Sequence, residues 1–137
     1  MELNFGEINW LSIVVCFVVG QVFLTLWFSV FFGEQWAKAY DPAKNKNEHT
    51  KEVPGYTYAF GAVCTFLLTM GLELFQIAFG VDDLSSGLQL GVIISIFFII
   101  ATMLPGYAFL RKWNAVRLAL GSQVFVTLII SAVLGAW

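Results

Sequence analysis

Leu88-Gln89-Leu90-Gly91-Val92-Ile93-Ile94-Ser95-Ile96-Phe97-Phe98-Ile99-Ile100-Ala101-Thr102-Met103-Leu104-Pro105-Gly106-Tyr107-Ala108-Phe109-Leu110 runs without one charged side chain. At a helical rise of about 1.5 Å per residue it crosses the roughly 30 Å hydrocarbon core of a bilayer. Hydrocarbon offers no partner to a backbone N–H or C=O, so the stretch is predicted to be a transmembrane helix. A barrel strand would be shorter and would alternate polar with apolar. Three further stretches read the same way, at about 8–32, 58–79 and 113–137.

Composition agrees. Hydrophobic residues make up 59% of the chain and charged residues 12%, with mean hydropathy +0.82. A soluble bundle of this size needs far more charge on its surface, so the outer faces of these helices meet lipid. The expected fold is an all-α membrane protein, a four-helix transmembrane bundle forming a single domain over residues 1–137. The start, Met1-Glu2-Leu3-Asn4-Phe5-Gly6-Glu7, is acidic, and the apolar run after it is longer than the core of a secretory signal. The first helix is therefore expected to stay in the mature protein.

All seven Lys and Arg fall in two connections: Lys38, Lys44, Lys46 and Lys51 after the first helix, and Arg111, Lys112 and Arg117 around the join of the third and fourth. Positive residues mark the cytoplasmic side. Both termini and the turn Gly80-Val81-Asp82-Asp83-Leu84-Ser85-Ser86-Gly87 are accordingly expected outside, with 34–55 a cytoplasmic loop, in a membrane of the bacterial inner-membrane kind. Trp10, Trp27, Trp36, Trp113 and Trp137 lie near predicted helix ends, as an aromatic belt does. The net charge of −2 and seven scattered cations give no nucleic-acid footprint.

Within the loop, Glu34-Gln35-Trp36-Ala37-Lys38-Ala39-Tyr40 continues as helix along the interface until Asp41-Pro42 stops it. The charged run 44–52, with the single histidine His49, reads as a flexible loop. His49 is more readily a solvated side chain than a ligand or switch. No internal repeat is apparent, so an inverted-repeat transporter is not indicated.

Few side chains in the spans carry chemistry. Gln21 and Gln123 lie near the bilayer midplane by helical rise, and their matched depth suggests a mutual hydrogen bond, either as glue between helices or as a substrate contact. Glu73, about two turns inside the outer end of the second helix, is an intramembrane acid and hence a functional candidate. Gln76 shares its face at i+3. Cys16, Ser95, Thr127 and Ser131 stand at similar depth, and together these would form a polar layer opening outward. The plain alternative is that Glu73 snorkels to the interface or closes a structural hydrogen bond. Arg117 is expected to snorkel toward Arg111 and Lys112, where the cluster suits anionic lipid headgroups, and it sits in the opposite leaflet from Glu73. Pro105 is expected to bend the third helix and free the carbonyl of Ala101. Gly87 and Gly91 form a GxxxG that permits close packing within or between protomers. Cys16 and Cys64 are placed too far apart for a disulfide. No metal-ligand spacing, P-loop or nucleophile motif is present, so neither a cofactor nor an enzymatic activity is expected.

Ile8-Asn9-Trp10-Leu11 at the start of the first helix and Trp27-Phe28-Ser29-Val30-Phe31-Phe32-Gly33-Glu34-Gln35-Trp36 at its end resemble the DUF1761 family of small membrane proteins. In that family a W-Y-S-P-x-x-F-G-x-x-W pattern closes the first helix. Trp27, Ser29, Phe32, Gly33 and Trp36 match it, whereas Phe28 and Val30 stand where Tyr and Pro are usual. Gly121-Ser122-Gln123 and the ending Val133-Leu134-Gly135-Ala136-Trp137 are similar too, and the likeness covers nearly the whole chain. It implies a four-helix membrane protein of uncharacterised function. Two functional expectations remain: permeation of protons, ions or a small solute through a layer around Glu73, or a non-catalytic scaffold that binds lipid or partner proteins. Four short spans with Gly-rich faces also suggest a homo-oligomer.

Overall fold

Asn9 begins the first span. Its side chain accepts the N–H groups of Leu11 and Ser12, which have no partner inside the helix. Helix α1 (Trp10–Phe31) follows. The structure is a computed structural model and describes residues 5–137. After α1 come α2 (Gly33–Tyr40) and α3 (Lys46–Glu52), and then three more spans: α4 (Gly55–Phe79), α5 (Leu84–Phe109) and α6 (Trp113–Gly135). The four expected membrane helices are thus present, and no strand occurs among the described residues. By length and composition this is a multi-pass membrane protein.

Several boundaries move, each for a local reason. α5 starts at Leu84 rather than 88, because Asp83 caps it through the N–H groups of Ser85 and Ser86. α4 starts at Gly55, directly after Pro54. It ends at Gly80, whose φ of +64° is the left-handed conformation a glycine adopts without strain. The expected flexible loop at 44–52 is instead helix α3. Asn45 and Glu48 close a reciprocal capping box there, and Lys44 pairs with Glu52 at 2.5 Å.

Two segments wind more widely than an α-helix: Trp27–Phe31 at the end of α1 and Ser95–Ile100 inside α5. In the first, the Phe32 N–H reaches back five residues to the Trp27 carbonyl at 2.9 Å. Pro105 lies within continuous helix, and the irregularity sits just upstream of it as the second of these π-helical segments.

α6 is the hub, packing on α1, α4 and α5 and touching α2. Ala115, Ala119, Ser122, Val126, Ile130 and Leu134 are among its buried residues and recur at helical spacing. Lipid gives no hydrophobic drive to pull helices together, so small side chains that allow close approach matter most. A Cβ on Gly135 would lie 2.6 Å from the Asp83 carbonyl oxygen and 2.9 Å from the Gly87 Cα, and one on Gly87 would collide with the Ser131 carbonyl. Gly91 faces Ser131 in the same interface. The GxxxG of Gly87 and Gly91 is therefore spent inside the protomer, between α5 and α6.

Candidate functional site

Glu73 is 7% exposed, so it does not snorkel to the interface. Its Oε1 accepts the backbone N–H of Asn9 at 3.2 Å. It also lines a cleft of about 180 Å³ with Asn9, Ser12, Gln76, Ile77 and Val81, beside Leu134 and Trp137 from the end of α6. Glu73 thus closes a structural hydrogen bond, as the plain alternative has it, and it also borders a small cleft. Gln76, on the same face, donates through Nε2 to the Ser131 carbonyl at 2.8 Å, which ties α4 to α6.

Below Glu73 the buried face of α4 continues as Thr69 and Thr65, one and two turns away. Both hydroxyls donate backwards, Thr69 to the Thr65 carbonyl and Thr65 to the Gly61 carbonyl. Their oxygens keep acceptor capacity toward the neighbouring helices. On α1 the matching buried residues are Ser12, Cys16 and Gly20. Hydropathy alone does not single out Thr65 and Thr69. Their spacing of four from each other and from Glu73 was the available signal.

The expected polar layer is only partly assembled. Gln21 and Gln123 are half-buried and make no hydrogen bond to each other; the Gln21 Nε2 is buried without a partner. Equal depth fixes a residue's height but not the direction it faces on its helix, and pairing needs both. Ser95 and Ser131 are buried with unpaired hydroxyls. Ser131 stands against Gly91 in the contact of α5 with α6, and its carbonyl receives the Gln76 amide. Thr127 is fully buried and donates to the Gln123 carbonyl. Cys16, Leu72, Val126 and Ile130, each at most 2% exposed, pack together in the core of the bundle. Cys16 is buried, Cys64 is exposed, and both are free thiols.

Among the described residues, larger cavities lie toward the opposite end of the bundle. One, about 540 Å³, lies among Phe28 and Ser29 of α1, Trp36 and Tyr40 of α2, His49 and Glu52 of α3, and Thr57 and Tyr58 of α4. Its size is within the range of small-ligand sites. Trp36 packs on Phe28 and on Tyr40, and His49 stacks on Tyr40 with ring centres 5.5 Å apart. His49 is thus a packed side chain and not a freely solvated one. Burial, then the nearby Tyr107, raises the Tyr40 phenol above its ordinary value. The sequence does not reveal this pocket, because the run of charges over 44–52 hides the helix α3 that forms one wall.

Another cavity, about 470 Å³, is lined by Phe32, Gln35, Lys38, Ala39, Asn114, Arg117 and Leu118. It regroups the expected headgroup cluster. Arg117 lines it, but Arg111 and Lys112 do not; Lys112 turns to α2, with its Nζ 3.3 Å from the Tyr40 carbonyl and 5.0 Å from the centre of the Tyr40 ring. Arg111 sits at φ +53° in the turn before α6. Lys38 takes their place. Arg117 and Glu73 lie at opposite ends of the bundle, as expected, since Glu73 adjoins Leu134, roughly 25 Å along α6 from Arg117.

Trp27 is more than a belt residue. Its Nε1 donates to the Leu118 carbonyl at 3.2 Å, and its ring lies against Gly121. The segment after it is locked by Lys46, whose Nζ donates to the Ser29 carbonyl while its stem lies where a Gly33 Cβ would be, 2.8 Å from Cδ. Among the described residues no three His, Cys, Asp or Glu side chains come together as a metal site.

Four apolar spans, three of them packed on α6, with one buried acid at one end and a basic cavity at the other, define a small polytopic membrane protein. A family model described as a protein of unknown function (DUF1761) matches residues 11–135, and the chain belongs to that family. The match runs through the Trp27-to-Trp36 segment and all four spans. No curated protein and no solved structure matches the chain.

Proposed function

We propose that this protein exchanges protons or a small cation at Glu73, as the gated step of a permeation function, and that it is not a catalyst. One observation carries the reading. Glu73 is the only acidic residue in the four spans, and it is buried yet borders a cleft, with the Asn9 backbone N–H donating to it. An intramembrane carboxyl that borders a cleft is suited to take up a proton or a cation. The hydroxyl oxygens of Thr69 and Thr65 extend acceptor groups from it toward Gln21. Cys16, Leu72, Val126 and Ile130 pack together in the core, so a pathway through the bundle is gated rather than open. With the basic connections placed in the cytoplasm, the Glu73 cleft opens to the outside.

The test is flux. The protein is reconstituted in liposomes with a pH-sensitive dye, and with Na+ or K+ gradients in parallel. Glu73→Gln lowers the flux about tenfold or more, without loss of thermal stability. A wild-type protein that passes no more protons or cations than empty liposomes removes the proposal.

A second reading, a scaffold or accessory subunit that associates with a partner or with its own copy, is favoured by Gly61 and Gly71. A Cβ at either would meet nothing within 4 Å, so both leave small surfaces on α4 that no helix of this chain fills. Crosslinking at these positions in native membranes distinguishes this reading from the first.

A further inference from the structure

Gln35 and Lys38 stand one turn apart on α2, and Asn114 and Arg117 stand one turn apart on α6. The two pairs line the same cavity of about 470 Å³, and no carboxylate lines it. Neither cation is neutralised: the ion pairs among the described residues both use Lys44. The Arg117 guanidinium is held by Asn114, whose Oδ1 accepts from Nη2 at 2.9 Å, and its remaining N–H groups are left for a ligand. The cavity also adjoins the start of α6. There Lys112 provides no side-chain cap, and the first backbone bond of the helix is Val116 N–H to the Lys112 carbonyl. The N–H groups before it add partial positive charge to the same place.

We infer that this cavity binds the phosphate of an anionic membrane-lipid headgroup, with Lys38 and Arg117 as the charged contacts and Gln35 and Asn114 as amide donors. Guanidinium and ammonium on opposite walls suit a phosphate, the first by its fork and the second as a point charge. Position favours a lipid over a soluble phosphate. The cavity lies at the end of two spans, Trp113 at the same end is 54% exposed, and Phe32 and Leu118 give the cavity an apolar wall where a glycerol backbone and acyl chains would begin. A zwitterionic choline headgroup would bring a third cation beside Lys38 and Arg117, so anionic lipid is preferred. The site is independent of the Glu73 reading, since it occupies the other end of α6.

The full chain in detergent is titrated with short-chain phosphatidylglycerol, with phosphatidylcholine of the same acyl length, and with inorganic phosphate. Binding is read by tryptophan fluorescence and by thermal shift. Phosphatidylglycerol binds about fivefold or more tightly than phosphatidylcholine, and Lys38→Gln and Arg117→Gln each weaken it about fivefold. Arg111→Gln, outside the cavity, leaves it unchanged. Equal binding of the two lipids overturns the inference. An Arg111→Gln loss as large as that of Arg117→Gln also overturns it, because diffuse surface charge then suffices. Displacement of the lipid by equimolar inorganic phosphate assigns the cavity to a soluble anion instead. Lys38 lies on the exposed side of α2, so Lys38→Gln keeps the test valid if Arg117→Gln fails to fold.

Discussion

Glu73 Oε1 holds the backbone N–H of Asn9, the residue that caps α1, so the only acid in the spans also anchors the start of the first span to α4. Replacing it therefore separates two effects. Glu73→Gln retains a carbonyl oxygen that accepts from Asn9, and its stability stays within about 0.5 kcal/mol of wild type. Glu73→Leu leaves that N–H unpaired at a part-buried site and costs about 1–3 kcal/mol. Reversible unfolding in mixed micelles measures both. Equal losses for Gln and Leu would show that charge, and not the hydrogen bond, holds α1 in place.

The contact between Gly87 and Gly135 leaves no room for side chains. Gly87→Val and Gly135→Val each force α5 away from α6 and destabilise by at least roughly 1–3 kcal/mol, the usual range for overpacking. Gly61→Ala faces open space and stays within about 0.5 kcal/mol. Both results are expected of a monomer in detergent, because the packed glycines meet their own chain. A Gly87→Val protein that unfolds like wild type but loses a dimer would move this contact to a subunit interface.

Hydropathy made the spans legible because lipid imposes one requirement along the whole helix. What it could not resolve was direction around each helix. Gln21 and Gln123 share a depth yet do not meet, whereas Gln76 reaches a backbone carbonyl, that of Ser131, which carries no sequence signal. Neighbours in sequence also mislead at the basic end. Arg111 and Lys112 adjoin a helix start and point elsewhere, while Lys38, far away in the chain, is brought to Arg117 by the fold of α2 against α6. The α3 helix was legible in part, since Asn45 and Glu48 have capping-box spacing, but a run of charges hid it.

Lys46 links α3 to the wide turn of α1 by donating to the Ser29 carbonyl, and Gly33 makes room for its stem. Lys46→Met keeps most of that stem and removes the donor. The expected outcome is faster hydrogen exchange at the amides of α3 and at the end of α1, with the centres of α4 and α6 unchanged. Exchange identical to wild type in α3 would mean that its capping box alone orders it. This arrangement also gives a physical reason for a glycine at position 33.

Asp83 caps α5 with a carboxylate, and the hydroxyl of Ser86, then the N–H groups of Ser86 and Ser85, hold its pKa below the ordinary carboxyl value. A folded-state pKa below the unfolded one means that the unfolded chain binds the proton more readily. The stabilisation is therefore present above the unfolded value of about 3.9, and it is lost as pH falls through the lower folded value. Asp83→Asn still accepts the two N–H groups but does not titrate. The difference in melting temperature between wild type and Asp83→Asn should favour wild type from neutral pH down to about 5 and shrink as pH falls below about 4. Because every other acid is common to both proteins, the comparison isolates this one. Parallel melting curves down to pH 3 would show that the Ser86 hydroxyl, and not the charge of Asp83, is what matters at this cap.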